Sequence, residues 1–143
     1  MISFNYESDF ELPNEDEISN WLSYIILSEN KKEGDINYIF CDDDYLVEIN
    51  QQYLAHDTLT DIISFDYSVG NELHGDIFIS IERVRENAQE FKVSLEEELQ
   101  RVMAHGILHY CGYKDKSDDD VALMRSKENE KIKLFHVKQF NGL

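Results

Sequence analysis

The spacing of apolar residues changes near residue 80, and this change limits the fold more than any other feature of the sequence. Strand-like runs, which alternate apolar and polar residues or are rich in β-branched and aromatic residues, occur only before that point. After it, apolar residues recur every three to four positions, as they do on one face of a helix. Because helical segments also separate the strands, the pattern predicts an α+β fold in which helices cover a sheet.

Four segments have the pattern of strands. They are Ile2–Tyr6, Asp35–Cys41, Thr60–Tyr67 and Leu73–Ser80. Residues 31–34 have the composition of a turn in front of the second segment. Gly75 lies inside the fourth segment, where it indicates a bulge or a close approach to the backbone. We therefore expect a mixed sheet of four strands.

Five segments have helical spacing. They cover roughly residues 13–29, a helix capped by 42–44 that reaches 53, residues 80 to about 91, residues 95–111, and a last helix capped by 117–120. Ser94 and Glu97 form a capping box at the start of the fourth helix, and Gly112 is suited to end it. We expect residues 1–143 to form one domain in which about five helices pack against the sheet.

The chain is strongly acidic, and its charge is unevenly distributed. The 30 Asp and Glu residues outnumber 13 Lys and Arg residues, and the formal net charge is −17. This excess argues against simple electrostatic capture of nucleic acid. Lys31 and Lys32 are the only basic residues before Arg83, so we expect any polyanion to contact the C-terminal half.

The sequence contains no signal for a membrane or for export. No apolar run approaches the roughly 18 residues that span a bilayer. The N-terminus has neither the basic nor the apolar region of a secretory signal. Cys41 and Cys111 lie far apart and are typical of reduced thiols. We therefore expect a cytoplasmic protein without a membrane partner.

Three residues near the end of the fourth predicted helix have the spacing of metal ligands. His105 and His109 are four residues apart, which places both imidazoles on one face of a helix. Gly112 allows the chain to turn back through a left-handed residue, so that Asp115 can offer a carboxylate beside the same face. Two histidines and a carboxylate with an open fourth position are typical of a catalytic zinc site.

Other interpretations of these residues were weighed. A pair of histidines at this spacing also arises by chance, and the glycine and the carboxylate favour the metal site. His56, His74 and His136 are expected not to be ligands. Zinc peptidases carry a glutamate base directly after the first histidine, whereas Gly106 occupies that position here. The helix is thus similar to the metal-binding helix of zinc peptidases but lacks their base.

The segment His105-Gly-x-Leu-His109-x-x-Gly112-Tyr113 resembles the signature of the YbeY family, bacterial metal-dependent endoribonucleases of ribosomal RNA maturation. The segments 49–53, 57–65 and 74–80 also follow the order and spacing of that family. The resemblance covers residues from about 35 to 135. It implies a mixed sheet with helices, one zinc-class ion and cleavage of single-stranded RNA.

The resemblance also implies a cellular role. The expected context is 3′-end processing of small-subunit ribosomal RNA and ribosome quality control. The expected partners are single-stranded ribosomal RNA and ribosomal particles, with no DNA. Two positions depart from the family pattern. Asp115 stands where the third histidine ligand is usual, with Lys114 in place of an acid before it, and Leu54 stands where an arginine is usual.

The remaining site residues follow from a hypothesis on the mechanism. His105, His109 and Asp115 would hold the ion, and Lys114 or Lys116 would offset charge on the phosphate. The substrate cleft would be lined by Ser64, Phe65, Gly75 and Asp76. Phe65 would stack on a base, although a core position is the commoner role of such a residue.

Several alternatives stay open at this point. No residue is nominated as a general base, and attack by a metal-activated water or by the RNA 2′-hydroxyl is equally open. A non-catalytic ribosome-assembly factor with a structural metal is one alternative function. A metallopeptidase is the other, and Gly106 disfavours it.

Overall fold

The computed structural model describes residues 1–54 and 60–138, which form four strands and five helices. The strands are β1 (Ile2–Tyr6), β2 (Lys32–Cys41), β3 (Ile62–Asp66) and β4 (Glu72–Ser80). The helices are α1 (Glu15–Ser28), α2 (Asp43–Leu54), α3 (Ile81–Phe91), α4 (Leu95–Tyr110) and α5 (Asp118–Lys138). The predicted α+β fold with a four-stranded mixed sheet and five helices is confirmed.

The strands form one sheet in the order β1-β2-β4-β3. Strands β1, β2 and β4 are parallel, and β3 pairs antiparallel with β4 at one edge. No helix in the described ranges is long and apolar enough to cross a bilayer.

Strand β2 begins three residues earlier than predicted. Lys32 and Glu33 pair with Glu72 and Leu73 of β4, in a stretch that the sequence analysis assigned to a turn. The chain turns instead at Asn30, whose φ is 60°. The start of β2 is set by its pairing with a strand some 40 positions away, and the composition of residues 31–34 alone does not indicate that pairing.

The two faces of the sheet bury separate clusters. Helices α1 and α4 cover one face, where Trp21, Ile36, Ile77 and Met103 are fully buried in the main core. Helix α2 covers the other face through a smaller cluster made by Cys41, Leu46 and Ile63. Helix α5 packs along α4, so residues of α5 can reach the outer face of α4.

Gly75 allows the close approach that its position in the sequence indicated. The Tyr110 hydroxyl of α4 donates a hydrogen bond to the Phe65 carbonyl oxygen at 2.9 Å. A Cβ atom at Gly75 would overlap both this hydroxyl and this carbonyl. The absence of a side chain at Gly75 therefore lets the C-terminal end of α4 lie directly on β3 and β4.

Candidate metal centre

Gly112 ends α4 and turns the chain back, as predicted. Its φ is 106°, a left-handed conformation that favours glycine. The Gly112 N–H donates to the His109 carbonyl at 3.0 Å, and the Tyr113 N–H donates to the Leu108 carbonyl at 3.1 Å. These two bonds form a Schellman motif. The loop that follows is thereby directed back along the outer face of the helix.

Tyr113, two residues before Asp115, attaches this loop to the end of α1. The Tyr113 hydroxyl donates to Glu29 at 2.7 Å, at the C-terminal end of α1. The other oxygen of Glu29 forms an ion pair at 2.8 Å with Lys131, whose side chain is 2% exposed. This buried pair anchors the loop, which holds Asp115 near the histidines.

The three predicted ligands converge on one point. Nε2 of His105 and Nε2 of His109 are 3.0 Å apart. The Asp115 Oδ2 atom lies 3.1 Å from the His109 Nε2 atom and 3.3 Å from the His105 Nε2 atom. Tetrahedral zinc with bonds of about 2.0–2.1 Å separates its ligand atoms by about 3.3 Å. The donor set therefore fits a zinc-class ion, and no other group of three such ligands occurs in the described part of the chain.

Glu128 of α5 is a site residue that the sequence analysis missed. Its Oε2 atom lies 2.7 Å from Nδ1 of His105, and its side chain is 6% exposed. Its other oxygen accepts a hydrogen bond at 3.2 Å from Arg101. A carboxylate on the second nitrogen of a metal-binding histidine fixes the ring and leaves Nε2 for the metal. The sequence does contain a signal for Glu128. It lies four residues from both Met124 and Ile132, so a helix would place this acid on the same buried face as two apolar residues.

The carboxylates around His105 make its position favourable for positive charge. Burial by itself lowers the pKa of His105, and the hydrogen bond and the charge of Glu128 oppose it. The charges of Asp115 and Asp61 act in the same direction, so the pKa of His105 is raised above its usual value. A proton and a metal cation are both stabilised by this arrangement, and they compete for the same Nε2 atom.

A cavity of about 530 Å³ opens beside the three ligands. Its walls come from β3, α3, α4 and α5, and Asp61 also lines it. Burial raises the pKa of Asp61. Ser64, predicted to contact substrate, is exposed and lines this cavity. The structure thus brings Ser64 together with the metal ligands.

Three other predicted substrate residues lie elsewhere. Phe65 points to the opposite face of β3 from Ser64 and packs edge-on against Phe78, with ring centroids 5.9 Å apart. Gly75 and Asp76 line a separate shallow depression beside the exposed Tyr67. Because neighbouring residues of a strand point to opposite faces, Ser64 and Phe65 cannot both face the ligands.

The predicted catalytic lysines lie outside the cavity, on the loop that carries Asp115. Lys114 and Lys116 are exposed on the loop, on either side of Asp115, and neither lines the cavity. Leu54 is the last residue of α2, and its side chain is not among those described. His56 lies outside the described residues.

Gly106 faces the sheet rather than the metal ligands. A Cβ atom at this position would lie 2.9 Å from Cδ1 of Ile77 in β4. A side chain at this position would therefore point toward β3 and β4, and the terminal methyl of Ile77 would have to move.

Comparisons with known proteins agree with this arrangement. A family model described as Endoribonuclease YbeY matches residues 3–136. A Flavobacterium psychrophilum protein named Endoribonuclease YbeY is 76% identical over 139 residues, covering 97% of this chain and 99% of that protein. A Christiangramia forsetii protein of the same name is 59% identical over 138 residues, covering 96% of each. The solution structure of TM1509 from Thermotoga maritima matches with a TM-score of 0.71 and 29% identity, covering 99% of this chain and 93% of that one. The chain belongs to the YbeY family.

Proposed function

We propose that this protein is a metal-dependent endoribonuclease that cuts single-stranded RNA during ribosomal RNA maturation, at the 3′ end of the small-subunit RNA. The observation that carries the proposal is the convergence of His105, His109 and Asp115 within 3.3 Å beside an open cavity. The relatives named as endoribonucleases supply the reaction class.

The three ligands would hold one zinc ion, which when bound supplies Lewis acidity toward a phosphodiester. Zinc is favoured over harder ions because two of the three donors are imidazoles. Asp115 keeps 43% of its side chain exposed, so the ligand set leaves its outer side open to a substrate. Glu128 holds the ring of His105, and Ser64 on the wall of the cavity contacts the RNA.

The exposed lysines give the loop a role in binding phosphate. Lys114 and Lys116 flank Asp115 and offset part of the acidity of the site as the RNA enters. Contacts of RNA with Phe65, Gly75 and Asp76 stay predictions, and they concern RNA outside the cavity. We further propose that residues 1–143 act as one domain, in the cytoplasm, on RNA within ribosomal particles and in ribosome quality control.

Two other functions compete with this one. A non-catalytic assembly factor with a structural metal is favoured by the net charge of −17 and by Leu54 at the usual arginine position. The open cavity favours an enzyme, because structural zinc sites are closed by a fourth protein ligand. A metallopeptidase is disfavoured because Gly106, at the position of the peptidase base, has no side chain to accept a proton.

Cleavage assays with a matched histidine pair test the proposal. We expect the zinc-loaded protein to cut single-stranded RNA, to lose this activity with a chelator, and to leave casein intact. His109→Ala is expected to lose both the metal and RNA cleavage. His136→Ala removes an exposed histidine of α5 and serves as the control. Full RNA cleavage by a metal-free His109→Ala protein would contradict the mechanism, and binding to ribosomal particles without cleavage would favour the assembly factor.

A further inference from the structure

We propose that Phe91 and Arg125 form a subsite in the wall of the metal cavity that binds one nucleotide of a single-stranded RNA, with Phe91 stacked on the base and Arg125 on a phosphate. This inference rests on the proposed ribonuclease function. It names the part of the cavity that would recognise a base, as distinct from the part that holds the metal.

Phe91 presents an uncovered aromatic ring to the cavity. It is 53% exposed, although it lines the same cavity as His105 and His109. Among the described residues that line this cavity, it is the only Phe, Tyr or Trp. A half-exposed ring lacks part of the hydrophobic stabilisation that full burial would give. A nucleobase would cover it, and aromatic side chains stack on bases of any sequence because every base has a π-face.

The position of Phe91 is fixed by the end of α3. Phe91 is the last residue of that helix, and Lys92 then takes a left-handed conformation with φ 57°. Asn87 lies one helical turn before Phe91 and also lines the cavity. Its amide offers both a donor and an acceptor to the edge of a base stacked on the ring.

Arg125 is the cavity arginine that is free to bind a phosphate. Arg101, the other arginine in the cavity wall, is held by its ion pair with Glu128 at 3.2 Å. Arg125 is exposed and lies within ion-pair distance of no carboxylate among the described residues, although its charge acts on Glu98 in the same cavity wall. An arginine fork matches the geometry of phosphate oxygens. The cavity volume of about 530 Å³ lies within the range of small-molecule pockets and accommodates a nucleotide.

The test measures initial rates of cleavage of a labelled single-stranded RNA by the metal-loaded protein. The variants are Phe91→Ala, Phe91→Trp and Arg125→Ala, with Leu27→Ala as the control. Leu27 is 68% exposed on α1 and does not line the cavity. A ribose-phosphate oligomer of the same length without bases is used as a competitive inhibitor, because it retains the phosphates and removes the stacking.

We expect Phe91→Ala to raise the KM for RNA by about 5- to 100-fold relative to Leu27→Ala. Phe91→Trp should keep KM near that of the unmodified protein, since it retains a ring. The inhibition constant of the base-free oligomer should be unchanged in Phe91→Ala and weakened in Arg125→Ala. Equal KM values for Phe91→Ala and Leu27→Ala, in a protein that cleaves RNA, would overturn the subsite and leave the ribonuclease function standing. Failure of the unmodified, metal-loaded protein to cleave RNA would overturn both.

Discussion

Removal of the Glu128 carboxylate should weaken metal binding although Glu128 is not a ligand. Its oxygen lies 2.7 Å from Nδ1 of His105, and its side chain is 6% exposed. The metal needs the lone pair of Nε2, so the ring proton must be on Nδ1. The Nδ1–H group then donates a hydrogen bond to Glu128. In Glu128→Ala the ring of His105 loses this acceptor, and its orientation is no longer fixed.

The size of the effect follows from the kind of bond that is lost. A hydrogen bond to a buried charged group contributes about 1.5–3 kcal/mol. Since about 1.4 kcal/mol is tenfold in an equilibrium constant, we expect zinc affinity to fall about 10- to 100-fold. Glu128→Gln keeps an acceptor oxygen but removes the charge, so its affinity should lie between those of Glu128→Ala and the unmodified protein.

The assay is competition for zinc with a chromophoric chelator, at fixed pH. Glu90→Ala is the control because it removes one exposed carboxylate of α3. Glu128→Ala also leaves Arg101 without its partner, so circular dichroism must first establish that the variant folds. If Glu128→Ala does not fold, the zinc affinity of Glu128→Gln is compared with that of Glu90→Ala instead. A zinc affinity for a folded Glu128 variant equal to that of Glu90→Ala would refute the reasoning.

Three further predictions concern the loop, the sheet and the buried ion pair. Asp115→His should retain or strengthen zinc binding and Asp115→Ala should weaken it, as measured by native mass spectrometry, and zinc binding by Asp115→Ala equal to that of the unmodified protein would mean that residue 115 is not a ligand. Gly75→Ala should lower the free energy of unfolding by about 1–3 kcal/mol, since its Cβ would overlap the Tyr110 side chain and the Phe65 carbonyl; an unchanged free energy of unfolding in urea would contradict this. Burial raises the pKa of Glu29, but the hydrogen bonds from Lys131 and Tyr113 and the charges of Lys131 and Lys127 together outweigh it, so the pKa is lowered from its usual value of 4.5. The stabilisation from Glu29 is therefore present above pH 4.5 and lost as the pH falls below it, so the Tm difference from Glu29→Gln should shrink under acid; a difference that stays constant would contradict this.

The helix, the histidine pair and the turn that follows them were predictable from the sequence because they depend on local geometry. The spacing of His105 and His109 places them on one face of any helix, and Gly112 adopts a left-handed φ at low cost wherever a helix ends. The apolar periods, the β-branched and aromatic content and the helix caps likewise predicted all nine elements of the described fold, because each of these signals acts within one segment.

What depended on distant contacts could not be predicted in this way. Glu128 comes to His105 because α5 packs along α4, and the early start of β2 follows from its pairing with β4. The cavity takes its walls from four separate elements, so the sequence could not distinguish Ser64, which lines it, from Phe65, which faces away. The sequence alone therefore determined the elements and the metal-ligand spacing, since these follow from contacts within one helix or strand. Only the tertiary structure decided which side chains surround the ligands, because their neighbours come from segments far apart in the chain.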